Sequence, residues 1–219
     1  MRKPLCALAA MLLGVSMLGV GTANAAVVSY DFVFEFSGGD QPAGPAPWLN
    51  ATFDDGGSAG AVELTLSADG LVDKEFVTQW YFNVEPFQLI SVSHDSGVMP
   101  TGTASASNGF KADGDGWFDL LILYMDPGDK FAAGLESVLT LTAAGLTADM
   151  FRALSLGDGN SPNGLFAAAE IRGIATEDCD CGKGSGWVAP IPIMGALPLL
   201  LSALGLLGLT GGFWRRWVS

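Results

Sequence analysis

Val62-Glu63-Leu64-Thr65-Leu66-Ser67 decides the fold of this chain. Apolar and polar residues alternate there with period two, so an extended strand puts Val62, Leu64 and Leu66 on one face and Glu63, Thr65 and Ser67 on the other. Upstream, Phe32-Val33-Phe34-Glu35-Phe36 is aromatic and β-branched, which also reads as strand. Further strands are expected over 76–84, 89–94, 118–125, 137–142 and 165–171, each bounded by Gly, Pro, Asp or Asn. Segments such as Asp54-Asp55-Gly56-Gly57, Ala68-Asp69-Gly70 and Gly157-Asp158-Gly159-Asn160 supply the turns, because these residues tolerate positive φ. One short helix is expected from Thr147 as cap through Ala148-Asp149-Met150-Phe151-Arg152-Ala153, with Asp149 favouring its dipole. The helices that βαβ units need are missing. The expected architecture is therefore all-β, two packed antiparallel sheets in a sandwich or jelly roll, over residues 26–182.

Both ends of the chain are apolar and differ from this body. Arg2-Lys3 precede an apolar run over 5–20 and the small-residue stretch Ala23-Asn24-Ala25, the order of a secretory signal peptide with cleavage between Ala25 and Ala26. Cys6 lies at the start of that run, whereas a lipid-modified cysteine lies at its far end. At the other terminus, residues 193–214 carry no charge and make a helix of about 33 Å, the hydrocarbon thickness of a bilayer. Arg215 and Arg216 mark the cytoplasmic side, flanked by Trp214 and Trp217 at headgroup level. The expected layout is signal peptide 1–25, ectodomain 26–182, linker 183–192 with Pro190-Ile191-Pro192, transmembrane helix 193–214 and basic end 215–219.

Charge is segregated along the chain. All twenty-three acids fall within 26–187 against six basic residues (Lys74, Lys111, Lys130, Arg152, Arg172 and Lys183), a formal −17 that the whole-chain value of −13 conceals. Such a surface repels phosphate backbones and excludes nucleic acid as a partner. Cys179 and Cys181 form a C-x-C beside acids, read as an oxidised pair, an intermolecular bridge or, with borrowed carboxylates, a metal site; His94 is the single histidine.

The tail from Val188 onward, with Pro190-Ile191-Pro192, an apolar Gly- and Leu-rich segment and a terminal arginine pair, resembles the PEP-CTERM sorting signal in its Val-Pro-Leu-Pro-Ala variant. It departs from that pattern by lacking the glutamate of Pro-Glu-Pro and by carrying an extra alanine. The resemblance implies export through the Sec machinery of a Gram-negative cell, anchoring in the membrane by the tail, and cleavage near Pro190 to Pro192 by an exosortase. It also implies a setting of exopolysaccharide and biofilm matrix. Ala51-Thr52-Phe53-Asp54-Asp55, Trp80-Tyr81-Phe82-Asn83 and 108–116 resemble blocks of ectodomains that carry this tail, a type without assigned activity.

Three patterns in the body could carry chemistry. Gly56-Gly57-Ser58-Ala59-Gly60 fits G-x-S-x-G, but a nucleophile elbow leads from strand to helix and here a strand follows. His94-Asp95-Ser96 are sequence neighbours, whereas a triad converges from separate elements. Asp113-Gly114-Asp115-Gly116-Trp117-Phe118-Asp119 offers closely spaced carboxylates to Ca²⁺, with Asp113, Asp115 and Asp119 as ligands, but it lacks the EF-hand's third oxygen and twelfth-position glutamate; otherwise it is a tight turn. No other cofactor is implied. Trp48, Trp80, Tyr81, Trp117 and Tyr124 are either core or stacking platforms for sugars. The functional expectation is an exported, non-enzymatic surface or matrix protein, structural or exopolysaccharide-associated. The alternative is a carbohydrate- or Ca²⁺-binding module, and a secreted hydrolase ranks last.

Overall fold

The computed structural model describes residues 25–124, 130–158, 163–176 and 179–191, the last segment without the side chains of 179–181. The alternation that opens the sequence is realised in a strand, Ala61–Ser67, with Val62, Leu64 and Leu66 fully buried. Eleven strands are formed among the described residues. In chain order they are β1 (Val27–Glu35), β2 (Leu49–Asp54), β3 (Ala61–Ser67), β4 (Phe76–Phe82), β5 (Ser91–Gly97), β6 (Gly102–Ala112), β7 (Asp115–Leu123), β8 (Phe131–Ala132), β9 (Glu136–Thr142), β10 (Ala167–Thr176) and β11 (Cys179–Pro190). The all-β expectation holds.

The strands form one hydrogen-bonded antiparallel path, β5-β9-β3-β2-β1-β11-β10-β4-β7-β6, with β8 added to β4. That path curls. In a flat sheet β2 and β4, four strand spacings apart, would lie about 19 Å from each other. Yet Phe53 of β2 meets Phe82 of β4 with ring centroids 5.1 Å apart, and Phe32 of β1 meets Trp80 of β4 at 5.2 Å. The main core fills the concave side with these rings, Trp48, Phe131, Phe151 and the leucines of β3 and β9. The two ends of the path, β5 and β6, are consecutive in sequence and joined by residues 98–101 alone, a span of at most about 17 Å. Ser105 of β6 bridges that seam, its Oγ accepting from Ile90 N at 3.2 Å and donating to Gln88 O at 3.4 Å.

Two expectations change. The helix from Thr147 is a single 3-10 turn, Ala148–Phe151, and Thr147 provides no side-chain cap. Asp55 caps it instead, from the β2–β3 turn: its Oδ2 accepts from Ala148 N at 3.2 Å while Oδ1 accepts from Ala26 N and Gly57 N, both at 2.9 Å. Those backbone bonds, led by that from Ala26, hold the Asp55 carboxyl below its ordinary range against the opposing effect of burial. The stretch 183–192 is not a linker, because β11 runs through to Pro190 between β1 and β10. The body therefore ends eight residues later than the sequence suggests, at Pro190. Residues 1–24 of the expected signal peptide 1–25, Pro192, the expected transmembrane segment 193–214 and Arg215-Arg216 lie outside the described residues.

Candidate functional site

The convex face of β11, β10, β4 and β7 carries a second apolar cluster, separate from the main core. Alternation points Tyr81 of β4, Ala168 of β10, Trp187 and Ala189 of β11 and Phe118 of β7 into it. The Tyr81 ring lies 5.6 Å from those of both Trp187 and Phe118, so Tyr81 is buried beneath them while Trp187 stays half-buried at the surface.

A polar chain runs from this aromatic group along the same face. Tyr81 Oη donates to Gln79 Oε1 at 2.6 Å, and Gln79 Nε2 donates to Glu170 Oε2 at 2.6 Å. Thr78 Oγ1 donates to that same carboxylate oxygen, and Arg172 Nε donates to Glu170 Oε1 at 2.8 Å. Burial works to raise the Glu170 carboxyl, but the bonds from Gln79, Thr78 and Arg172 outweigh it and hold the group below its ordinary value. Burial, with the Glu170 charge beside it, pushes the Tyr81 phenol up to about 12. Tyr81 is therefore a neutral donor at physiological pH. Arg172 remains about half exposed along its side chain while its Nε holds Glu170. The face thus offers a half-buried indole, a guanidinium and an amide side by side.

The β6–β7 hairpin closes this face from one side. Its turn, Asp113-Gly114, has positive φ at both residues, 49° and 78°, the requirement of a type I′ connection. Desolvation raises the Asp113 carboxyl, and the charges of Asp115, Glu35 and Glu170 add to it. Asp115 is buried at the start of β7. Asp119 is also buried but points elsewhere: its Oδ1 accepts from Asn108 N at 2.7 Å and its Oδ2 from Val84 N at 3.1 Å. Asp119 clamps the β6 bulge to the end of β4. Among the described residues, no three His, Cys, Asp or Glu side chains are arranged to hold a metal ion.

The other sequence candidates resolve as follows. Gly56 to Gly60 joins strand to strand, and His94 lies on the edge strand β5 with its Nε2 3.2 Å from Gly97 O. Trp48, Trp80 and Tyr124 are buried core; Tyr124 Oη donates to Ser137 Oγ at 2.8 Å across the barrel-like interior. Trp117 is half-buried under Lys111, whose Nζ sits 4.5 Å from the ring centroid. Pro190 is buried at the end of β11 opposite Phe32, and Ile191 is exposed. The side chains of Cys179 and Cys181 lie outside the described residues. Gln79, Glu170, Arg172 and Trp187 were not singled out by the sequence reading. One signal was there: Glu170 is the lone charge in Ala167-Ala168-Ala169-Glu170-Ile171, where a charge survives only with partners. No family model, curated protein or solved structure matches this chain.

Proposed function

We propose that this chain is an exported, non-enzymatic cell-surface or extracellular-matrix protein. Residues 1–25 direct it through the Sec machinery, 193–214 hold it in the membrane with the acidic body outside, and the PEP-CTERM-like tail passes it to an exosortase acting near Pro190 to Pro192. The body serves as a sandwich-like structural or exopolysaccharide-associated module. The observation that carries this reading is the direct junction of β11 with Pro190-Ile191: the folded body gives way at the sorting motif itself, so a cut there releases an intact module. The buried carboxylates Asp55, Asp119 and Glu170 support a structural role, since each is consumed in holding strands and turns together. The mass of the surface form tests it. Loss of the segment carrying Trp217 is expected, and an intact Trp217 in the surface form would sink the sorting claim.

A second reading, carbohydrate binding, is favoured by the Trp187 indole beside Gln79 and Arg172 on the convex face. Indole faces stack on the apolar faces of sugars while amide and guanidinium groups donate to their hydroxyls. This reading adds a ligand to the first without replacing it.

A further inference from the structure

The strand that leads into the tail is also one of the most enclosed in the sheet. On one side of β11, β1 pairs Glu35, Phe34 and Phe32 with Val188, Ala189 and Pro190; on the other, β10 pairs Ala169 with Val188 and Glu170 with Trp187. Val188 and Ala189 are completely buried, and Pro190 is buried as well. At the next residue the environment reverses. Ile191 is 55% exposed and sits on the rim of an open groove of about 560 Å³ lined by Tyr30, Arg152 and Phe166.

A peptidase reads its substrate as an extended strand, pairing with main-chain groups on both sides of the bond it cuts. While β11 is in place Val188 is paired on both sides, by Glu35 of β1 and Ala169 of β10, and Ala189 and Pro190 are paired with β1 and buried, so residues 188–190 present no free strand for a peptidase to read. We propose that the folded body confines tail removal to bonds beyond Ile191. The cut is an ordinary amide hydrolysis, with water giving its hydroxyl to the carbonyl carbon and a proton to the released amine. The mature module then keeps Val188-Ala189-Pro190-Ile191, and a cut inside β11 happens only when that strand is out of the sheet. The fold acts as a ruler for its own processing. This inference rests on the reading above that the tail is removed, but its physical content applies to any protease.

Two measurements decide it. The first is the C-terminal peptide of the mature protein recovered from the host surface. A terminus at or beyond Ile191 is expected. A terminus at or before Pro190 on a folded body overturns the confinement while leaving tail removal standing; a chain intact to Ser219 ends the tail-removal reading instead. The second measurement holds in every case: the purified full chain in detergent is digested with proteinase K, with and without concentrated urea. Without urea, trimming is expected to halt beyond Ile191, and cleavage within 182–190 is expected to be at least about tenfold faster in urea, because it tracks the open population of β11. Equal rates in the two conditions overturn the proposal.

Discussion

Glu170 and Asp113 lie on the same face and respond to pH in opposite senses. Glu170 is nearly solvent-free, its charge met by Gln79, Thr78 and Arg172, and its carboxyl is held below the ordinary value of 4.5. A depressed carboxyl contributes stability that is complete above that value and is lost as pH falls through the folded one. Glu170→Gln should therefore lower stability by about 1.5–3 kcal/mol at neutral pH, the range of one charged hydrogen bond, and the gap to wild type should close on acidification below 4.5. Urea titrations at several pH values read this; a gap independent of pH would contradict it. Asp113 carries the reverse sign, because burial and three neighbouring acids raise its carboxyl. Its charge opposes folding above the raised value, and acidification relieves the conflict. Asp113→Asn also suits the turn, since asparagine accepts a φ of 49° and Asn-Gly favours type I′. Stability should rise slightly at neutral pH, by no more than about 0.5 kcal/mol given the solvent screening, read as a small upward shift in melting temperature, and the gain should fade in acid. A loss of stability at neutral pH would refute the charge argument. The sequence disclosed the Asp113 turn but not the Glu170 network, whose members are brought together from β4 and β10, ninety residues apart.

At the scale of elements, what the sequence disclosed follows apolar content. β3 and β9 alternate large apolar residues with polar ones, and both are found where expected. β6 carries no strand signal because Gly102-Thr103-Ala104-Ser105-Ala106-Ser107 buries almost nothing; it is an edge strand held by main-chain pairing to β7. β11 reads as a linker for a different reason. Gly184 and Gly186 look like flexible chain, yet a Cβ at Gly186 would lie 2.1 Å from the Asp40 carbonyl oxygen, and one at Gly184 would lie 2.5 Å from Asp40 Oδ2. The strand is glycine-rich because the loop carrying Asp40 crosses tightly over it, a tertiary contact that local pattern does not encode. This yields a sharp contrast between two truncations. Residues 26–182 lack the part of β11 that joins β1 to β10 and should not give a cooperative unfolding transition, whereas residues 26–191 should fold without the tail. Circular dichroism on heating checks both. A cooperative transition in the shorter form would mean that β1 and β10 can close on each other without β11.

At the scale of the whole molecule, the net charge decides which polymers can approach the convex face. A body of formal charge −17 repels anionic chains over about 8 Å at physiological salt, and Glu35, Asp113, Asp115 and Glu170 concentrate that field on the face that holds Trp187. The sugar-binding reading therefore narrows to neutral polysaccharide, held by stacking and hydrogen bonds instead of by charge. Such binding should survive added salt, because neither contact depends on long-range attraction. Electrophoresis of the full chain in detergent gels, cast with and without the host's own exopolysaccharide, separates the cases. Retardation that changes little between low and physiological salt is expected, and Trp187→Ala should abolish most of it, since the half-buried indole is the stacking surface the face presents. Removing Trp187 also uncovers Tyr81 and thins the second apolar cluster, so the variant's melting curve must be recorded beside the gel. Arg172→Lys is the second variant: it keeps the charge but loses the planar donor array and the Nε bond to Glu170, so retardation should weaken by more than the accompanying fall in melting temperature accounts for. If wild type migrates identically with and without polysaccharide, the convex face is simply the outer packing layer of the sheet, and the module's role in the matrix is structural.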